Sequence, residues 1–144
     1  MICVFFGHHD CPDSVKPHLM QTIRERIEDG ARLFYVGTHG KFDALALSCL
    51  RSLESEYPEI GYAVVLAYLS PVPSSCKPEE TLFPEGIEKV PKRFAVDYRN
   101  RWMLDRADAV IAFVSRPFGG AAKQLKRAAR KGITVFNLAN YAAE

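Results

Sequence analysis

The stretch Arg32-Leu33-Phe34-Tyr35-Val36-Gly37-Thr38-His39-Gly40-Lys41-Phe42-Asp43 passes from a β-rich run, through two glycines, into a helical pattern. Arg32–Val36 reads as a strand, because aromatic and branched residues suit a pleated, half-buried surface. From Phe42 onward the apolar residues Phe42, Leu45, Ala46, Cys49, Leu50 and Leu53 recur at i, i+3, i+4, i+7, i+8 and i+11, a wide stripe on one helix face. Pro58 ends that helix. Strand, glycine turn and amphipathic helix make half of a βαβ unit.

The same alternation extends in both directions. Toward the N-terminus, Ile2–Phe6 is a first strand and a helix carries Leu19, Ile23 and Ile27 on one face, stopped at Gly30. Toward the C-terminus, Tyr62–Leu69 is a third strand, apolar throughout and expected to be buried on both faces. Ala109–Val114 is a fourth and Ile133–Leu138 a fifth, with a helix from about Gly120 to Lys131 between them whose Leu125 and Ala129 face inward. A short helix from about Asp97 to Arg106 leads into the fourth strand. The expected fold is α/β: a Rossmann-like, doubly wound, parallel five-stranded sheet with helices on both faces. It forms one domain over residues 1–144, with a Pro-rich insertion at about 70–96. The segment 70–95 holds five of the nine prolines, and its apolar residues Leu82, Phe83, Ile87, Val90 and Phe94 suggest that it packs onto the body, as a surface excursion or as a lid.

Composition is that of a globular protein: 48% hydrophobic and 25% charged residues exclude a disordered or collagen-like chain. No apolar run approaches the roughly 20 residues of a membrane span, and the apolar start reads as a strand rather than a signal peptide. A cytoplasmic location without membrane association is expected. Cys3, Cys11, Cys49 and Cys76 form no C-x-x-C pair and read as free thiols, with Cys3 and Cys49 in the core. The net charge of +2 hides an asymmetry, −3 over residues 1–72 and +5 over 73–144. Lys123, Lys126, Arg127, Arg130 and Lys131 lie on the last helix, where a solvated face is the ordinary use of such a run and nucleic-acid binding the sharper one. No nucleic-acid-binding motif accompanies them.

In open parallel sheets, ligands bind beyond the carboxyl ends of the strands, where the strand order reverses. Three loops occupy such positions. After the first strand comes Gly7-His8-His9-Asp10, in which Gly7 allows a close backbone approach and His8 offers a hydrogen-bond donor. After the second comes Gly37-Thr38-His39-Gly40, running into a helix whose first-turn N–H groups suit a phosphate. Thr38 adds a hydroxyl, and Asp43 either stabilises the helix dipole or binds a ribose hydroxyl. After the fourth comes Arg116-Pro117-Phe118-Gly119-Gly120-Ala121-Ala122, a second glycine turn opening a helix. Arg99 or Arg101 would supply a cation, only one of them toward a given ligand, because they project from different sides of a helix. Trp102 reads as core rather than as a stacking platform. His8, His9, Cys11 and His39 make a poor metal set, since adjacent histidines at a strand end point to opposite sides. The residues call for no metal and no cofactor. Neither a Walker A loop nor a nucleophile elbow is present.

Taken together, Gly7-His8, Gly37-Thr38-His39-Gly40-x-x-Asp43, Arg99-Asn100-Arg101-Trp102-Met103 and Gly119-Gly120-Ala121-Ala122 resemble the SLOG superfamily. These are Rossmann-like domains related to the DNA-processing protein DprA and to the LOG phosphoribohydrolases. The resemblance is greatest to the small bacterial DUF1273 or YpsA-like branch, and it covers nearly the whole chain. It implies strand order 3-2-1-4-5, a nucleotide-derived ligand over the glycine turns (His39 and Gly40 in one turn, Gly119, Gly120 and Ala121 in the other) and often a homo-oligomer. LOG enzymes and nucleoside deoxyribosyltransferases place a catalytic glutamate in the third loop. Here Gln124 stands in the analogous position, and an amide is neither nucleophile nor general base. The expectation is therefore binding or sensing of a nucleotide-like small molecule. The alternatives are a hydrolase or transferase acting on an N-glycosidic or phosphoester bond, and a DNA-associated accessory protein.

Overall fold

The computed structural model describes residues 1–142. Its strands are β1 (Ile2–Gly7), β2 (Leu33–Val36), β3 (Gly61–Val65), β4 (Thr81–Leu82), β5 (Ala109–Phe113) and β6 (Thr134–Asn137). Its helices are α1 (Lys16–Glu28), α2 (Lys41–Glu56), α3 (Lys92–Arg106), α4 (Gly120–Lys131) and the short α5 (Ala139–Ala142). The strands form one all-parallel sheet in the order β4-β3-β2-β1-β5-β6. Five strands keep the expected order 3-2-1-4-5. The sixth, β4, is a correction: Thr81 and Leu82 of the insertion pair with Val64 and Val65 at the edge. Two residues are too few to show alternation, so no period marks them in the sequence.

Alternate residues of each strand feed two cores. Cys3, Phe5, Phe34, Val36, Val64 and Ile111 pack beneath α1 and α2, with Leu19, Ile23, Phe42, Leu50 and Leu53. Val4, Phe6, Val65, Val110 and Ala112 pack on the other face against Met103 and Leu104 of α3 and Ala128 of α4. Cys3 and Cys49 are fully buried, as their strand and helix positions require. No helix among the described residues is long and apolar enough to cross a membrane.

Several boundaries differ from those the sequence suggests. The third strand ends at Val65 rather than Leu69, and its Gly61, Tyr62 and Ala63 are only half-buried, because the neighbouring edge strand covers just its last residues. The helix expected from Asp97 begins at Lys92, after Pro91, whose fixed φ suits a helix start. Residues 92–96 therefore belong to α3 and not to the insertion. That first turn carries Phe94 on its solvent side, 52% exposed, so no amphipathic period announces it. Within the insertion, Ile87 is buried and Val90 half-buried beside Ala67 and Ala95, whereas Phe83 is exposed. In α4 Ala122, Gln124 and Ala128 are buried and Leu125 packs half-buried against the second core as expected, whereas Ala129 faces solvent.

A buried carboxylate ties the insertion down. Glu80 accepts two hydrogen bonds from Arg51 of α2, at 2.8 and 2.7 Å, one from the Tyr62 hydroxyl and one from the Lys77 N–H. These bonds hold its pKa down at about 2, against the opposing effect of burial.

Candidate functional site

The sheet order reverses between β1 and β5, and a cavity of about 310 Å³ opens there beyond the carboxyl ends of β1, β2 and β5. Of the residues singled out in the sequence, Gly7, His8, Gly37, His39, Asp43, Arg99, Gly119, Gly120 and Ala121 line it.

Backbone contacts stitch the loop after β1 to its neighbours on both sides. The His8 N–H donates to Phe113 O at 3.1 Å, and the Lys41 N–H donates to His9 O at 2.9 Å. The His8 ring is buried, and its Nε2 accepts the Ser115 N–H at 3.0 Å. Accepting there places the proton of the neutral ring on Nδ1. Burial, then the Arg116 charge, hold its pKa below the ordinary histidine value. His8 is thus a strut between two loops as well as a lining residue.

The Gly7 position is filled by protein: a Cβ there would lie 2.2 Å from the Phe42 ring. Its missing side chain makes room for the first apolar residue of α2 rather than for a ligand. Gly40 likewise serves the loop contact, since its φ is +96° and a Cβ would lie 2.4 Å from His9 Cα.

Arg99 is the main feature of the cavity floor. It is 1% exposed, yet it reaches the cavity through the sheet end. Nη1 donates to Val65 O at 2.9 Å, Nε to Asn100 Oδ1 at 2.7 Å, and Nη2 to His39 Nδ1 at 3.1 Å. All three acceptors are neutral. Among the described residues no carboxylate forms an ion pair with it. Two of the five guanidinium N–H donors remain for a ligand. Asp43 and Arg99 flank Gly37, where a Cβ would lie 2.9 Å from the guanidinium and 3.0 Å from Asp43 Oδ2.

Asp43 is buried in the first turn of α2, and its Oδ2 accepts the His39 N–H at 2.9 Å. Burial pushes its pKa up to about 6, while Arg99 and that N–H pull it down. The carboxylate thus sits in the first turn, where it is placed to favour the helix dipole, and it already occupies one of the N–H groups the second loop offers. His39 has its pKa held below the ordinary value by burial and then by Arg99.

On the opposite wall, α4 begins at the Gly119-Gly120 pair. Gly119 has φ +98°, and no atom lies within 4 Å of a Cβ built at either glycine. The first-turn N–H groups of a helix have no partner within it, and Lys123 N is the first to find one, Gly119 O at 3.1 Å. This helix start is open to the cavity, whereas that of α2 is stitched to the β1 loop.

Three expected residues lie elsewhere. Thr38 lines a separate cleft of about 70 Å³ against Pro73, Ser75 and Cys76, and its hydroxyl lies 3.4 Å from His39 Nδ1. Gly40 borders that same cleft. Arg101 projects into a groove beside Phe94 and Trp102, one helix face away from Arg99, as the 3.6-residue period requires. Trp102 packs on Tyr35 at 5.2 Å between ring centroids, with the Arg106 guanidinium 3.8 Å over it, in agreement with its reading as core. Gln124 does not line the cavity. It is fully buried and donates to Asp97 Oδ1 at 3.2 Å while accepting from Arg127.

Other lining residues were not singled out as ligand contacts: Val96, Asn100 beside Arg99, and Arg116 and Phe118 within the third loop. Arg116 and Phe118 stand beside Gly119-Gly120, and that adjacency was the available signal. Arg116 makes a two-pronged bond to Asp10, at 3.0 and 3.2 Å, across the cavity mouth. The basic face of α4 is partly neutralised: Lys123 and Arg127 pair with Asp97, and Lys131 with Asp105, both on α3. Among the described residues no group of three or more His, Cys, Asp or Glu is arranged to hold a metal ion.

No family model matches the chain, and a search of curated proteins finds no match.

Proposed function

We propose that the chain binds a phosphorylated, nucleotide-type small molecule in the cavity between the β1, β2 and β5 ends. The observation that carries this reading is Arg99, a guanidinium 1% exposed that lines the cavity and forms no ion pair. A buried cation whose hydrogen bonds all go to neutral acceptors, with the Asp43 charge acting on it from across Gly37, is complementary to an anion. The open α4 start adds N–H groups and a positive dipole end on the facing wall. The phosphate lies against Arg99 and the N–H groups of Gly120 and Ala121, with His39 beside it and Asp43 toward a ribose hydroxyl. The reading extends to membership of the SLOG superfamily, to a homo-oligomer, and to the cytoplasm, where Cys3, Cys11, Cys49 and Cys76 stay reduced.

Isothermal titration calorimetry of the native chain against a nucleotide panel tests it. At least one member binds with a submillimolar Kd, and Arg99→Met weakens that binding about tenfold or more while the fold persists. A folded protein that binds no member overturns the reading.

A second reading, an enzyme acting on a nucleotide bond, is favoured by Asp43. A buried carboxyl lining a cavity with its pKa at about 6 is poised for general acid–base work. Release of base or phosphate from the panel, followed by chromatography and lost in Asp43→Asn, supports it. No release across the panel leaves the binding reading.

A further inference from the structure

We infer that Phe118 is the stacking platform for a planar aromatic ring of the ligand, so that the site selects ring-bearing phosphomonoesters over bare sugar phosphates. This inference rests on the phosphate reading above and specifies its ligand class.

Phe118 lines the cavity and is 66% exposed, the most exposed of the large apolar side chains among the described residues. A single exposed apolar residue needs no explanation by itself. This one stands directly before the Gly119-Gly120 start of α4, on the rim of a cavity with a buried cation at its floor.

Its loop is fixed at several points. The Ser115 N–H donates to His8, Arg116 is clamped by Asp10, and Lys126 Nζ donates to Pro117 O at 3.2 Å. The Arg116 guanidinium sits 5.7 Å from the Phe118 ring centroid. An arginine beside the ring adds a cation–π contribution when a base stacks there. The helix start that follows the ring is open, since no atom outside the adjoining residues lies within 4 Å of a Cβ built at Gly119 or Gly120. A planar group can therefore lie against Phe118 while an attached phosphate reaches the α4 N–H groups and Arg99. His8, whose Nε2 is engaged by Ser115, is left to line the wall between them.

The test is calorimetry with ribose 5-phosphate, AMP and UMP on the native chain, Phe118→Ala and Phe118→Trp. All three compounds bind the native chain, and AMP and UMP bind more tightly than ribose 5-phosphate. Phe118→Ala weakens AMP and UMP by about 5-fold to about 150-fold, the range for loss of a base–aromatic stack. It leaves ribose 5-phosphate unchanged, and Phe118→Trp retains nucleotide affinity. Nucleotide affinity that survives Phe118→Ala, or an equal loss for ribose 5-phosphate, overturns the platform while the phosphate reading stands. If Phe118→Ala changes only the sedimentation of the protein and no affinity, Phe118 is a protein contact and the platform is likewise overturned. If none of the three compounds binds the native chain, the platform is overturned, and the full nucleotide panel decides the phosphate reading.

Discussion

Arg99 Nη2 lies 3.1 Å from His39 Nδ1, so a buried arginine is held by a neutral imidazole rather than by a carboxylate. A guanidinium can only donate, so Nδ1 accepts and the ring carries its proton on Nε2. Protonating His39 removes the acceptor and sets two cations side by side. Burial and Arg99 both oppose that event, in that order of size. An NMR titration of the His39 ring therefore has its midpoint below the ordinary 6.5. In Arg99→Gln the midpoint moves up without reaching the ordinary value, because burial persists. An unchanged midpoint refutes the contact.

Asp43 links the cavity to stability. Its folded pKa of about 6 lies above the ordinary 3.8. The stability it contributes is complete below about pH 4 and is lost as pH rises through 6. Asparagine keeps an acceptor for the His39 N–H and carries no charge. Urea unfolding should show Asp43→Asn gaining on the native chain between pH 4 and pH 7, by about 2–3 kcal/mol at most. A constant difference across that range counts against the assigned pKa.

Glu80 behaves in the opposite sense. Its pKa, held at about 2, lies below the ordinary 4.5. Its contribution is complete above about pH 4.5 and is lost as pH falls toward 2. Glu80→Gln breaks a latch whose Arg51 side chain is 35% exposed, and the discounted cost is about 2 kcal/mol at pH 7. Limited proteolysis should then cut the variant within residues 70–91 before the body unfolds. Equal resistance of variant and native chain shows that other contacts hold the insertion.

Two glycines with similar φ differ in surroundings. At Gly40 a Cβ meets the His9 backbone at 2.4 Å, so alanine adds overpacking to strain and costs at least about 2 kcal/mol. At Gly119 a Cβ meets no atom outside the adjoining residues, so alanine costs only the strain of an extended positive-φ conformation, about 1–3 kcal/mol. Thermal unfolding should rank Gly40→Ala well below Gly119→Ala. The reverse order contradicts the stitched loop.

The five main strands, the helices between them and the two glycine turns at strand ends were legible in sequence, because they follow from local signals, whereas the order of the strands was only implied by the family resemblance. A 3.6-residue stripe from Phe42 to Leu53 and an apolar run at Ala109–Phe113 each report their own environment. β4 was not legible, since two residues carry no period, and neither was the start of α3, since Phe94 faces solvent.

For the candidate site, the residue types were visible and their partners were not. Sequence placed Arg99 and Arg101 on different helix faces but did not say which one enters the cavity. Nor did it show that Gly7 makes room for Phe42, or that Gly40 lies against His9. Those outcomes depend on contacts between residues distant in the chain, such as the 34 positions between Val65 and Arg99. Local pattern determined the layers, because each helix and strand must bury its own apolar face. The close packing of those layers decided which polar groups are spent inside the protein and which, Arg99 first among them, are left facing the cavity.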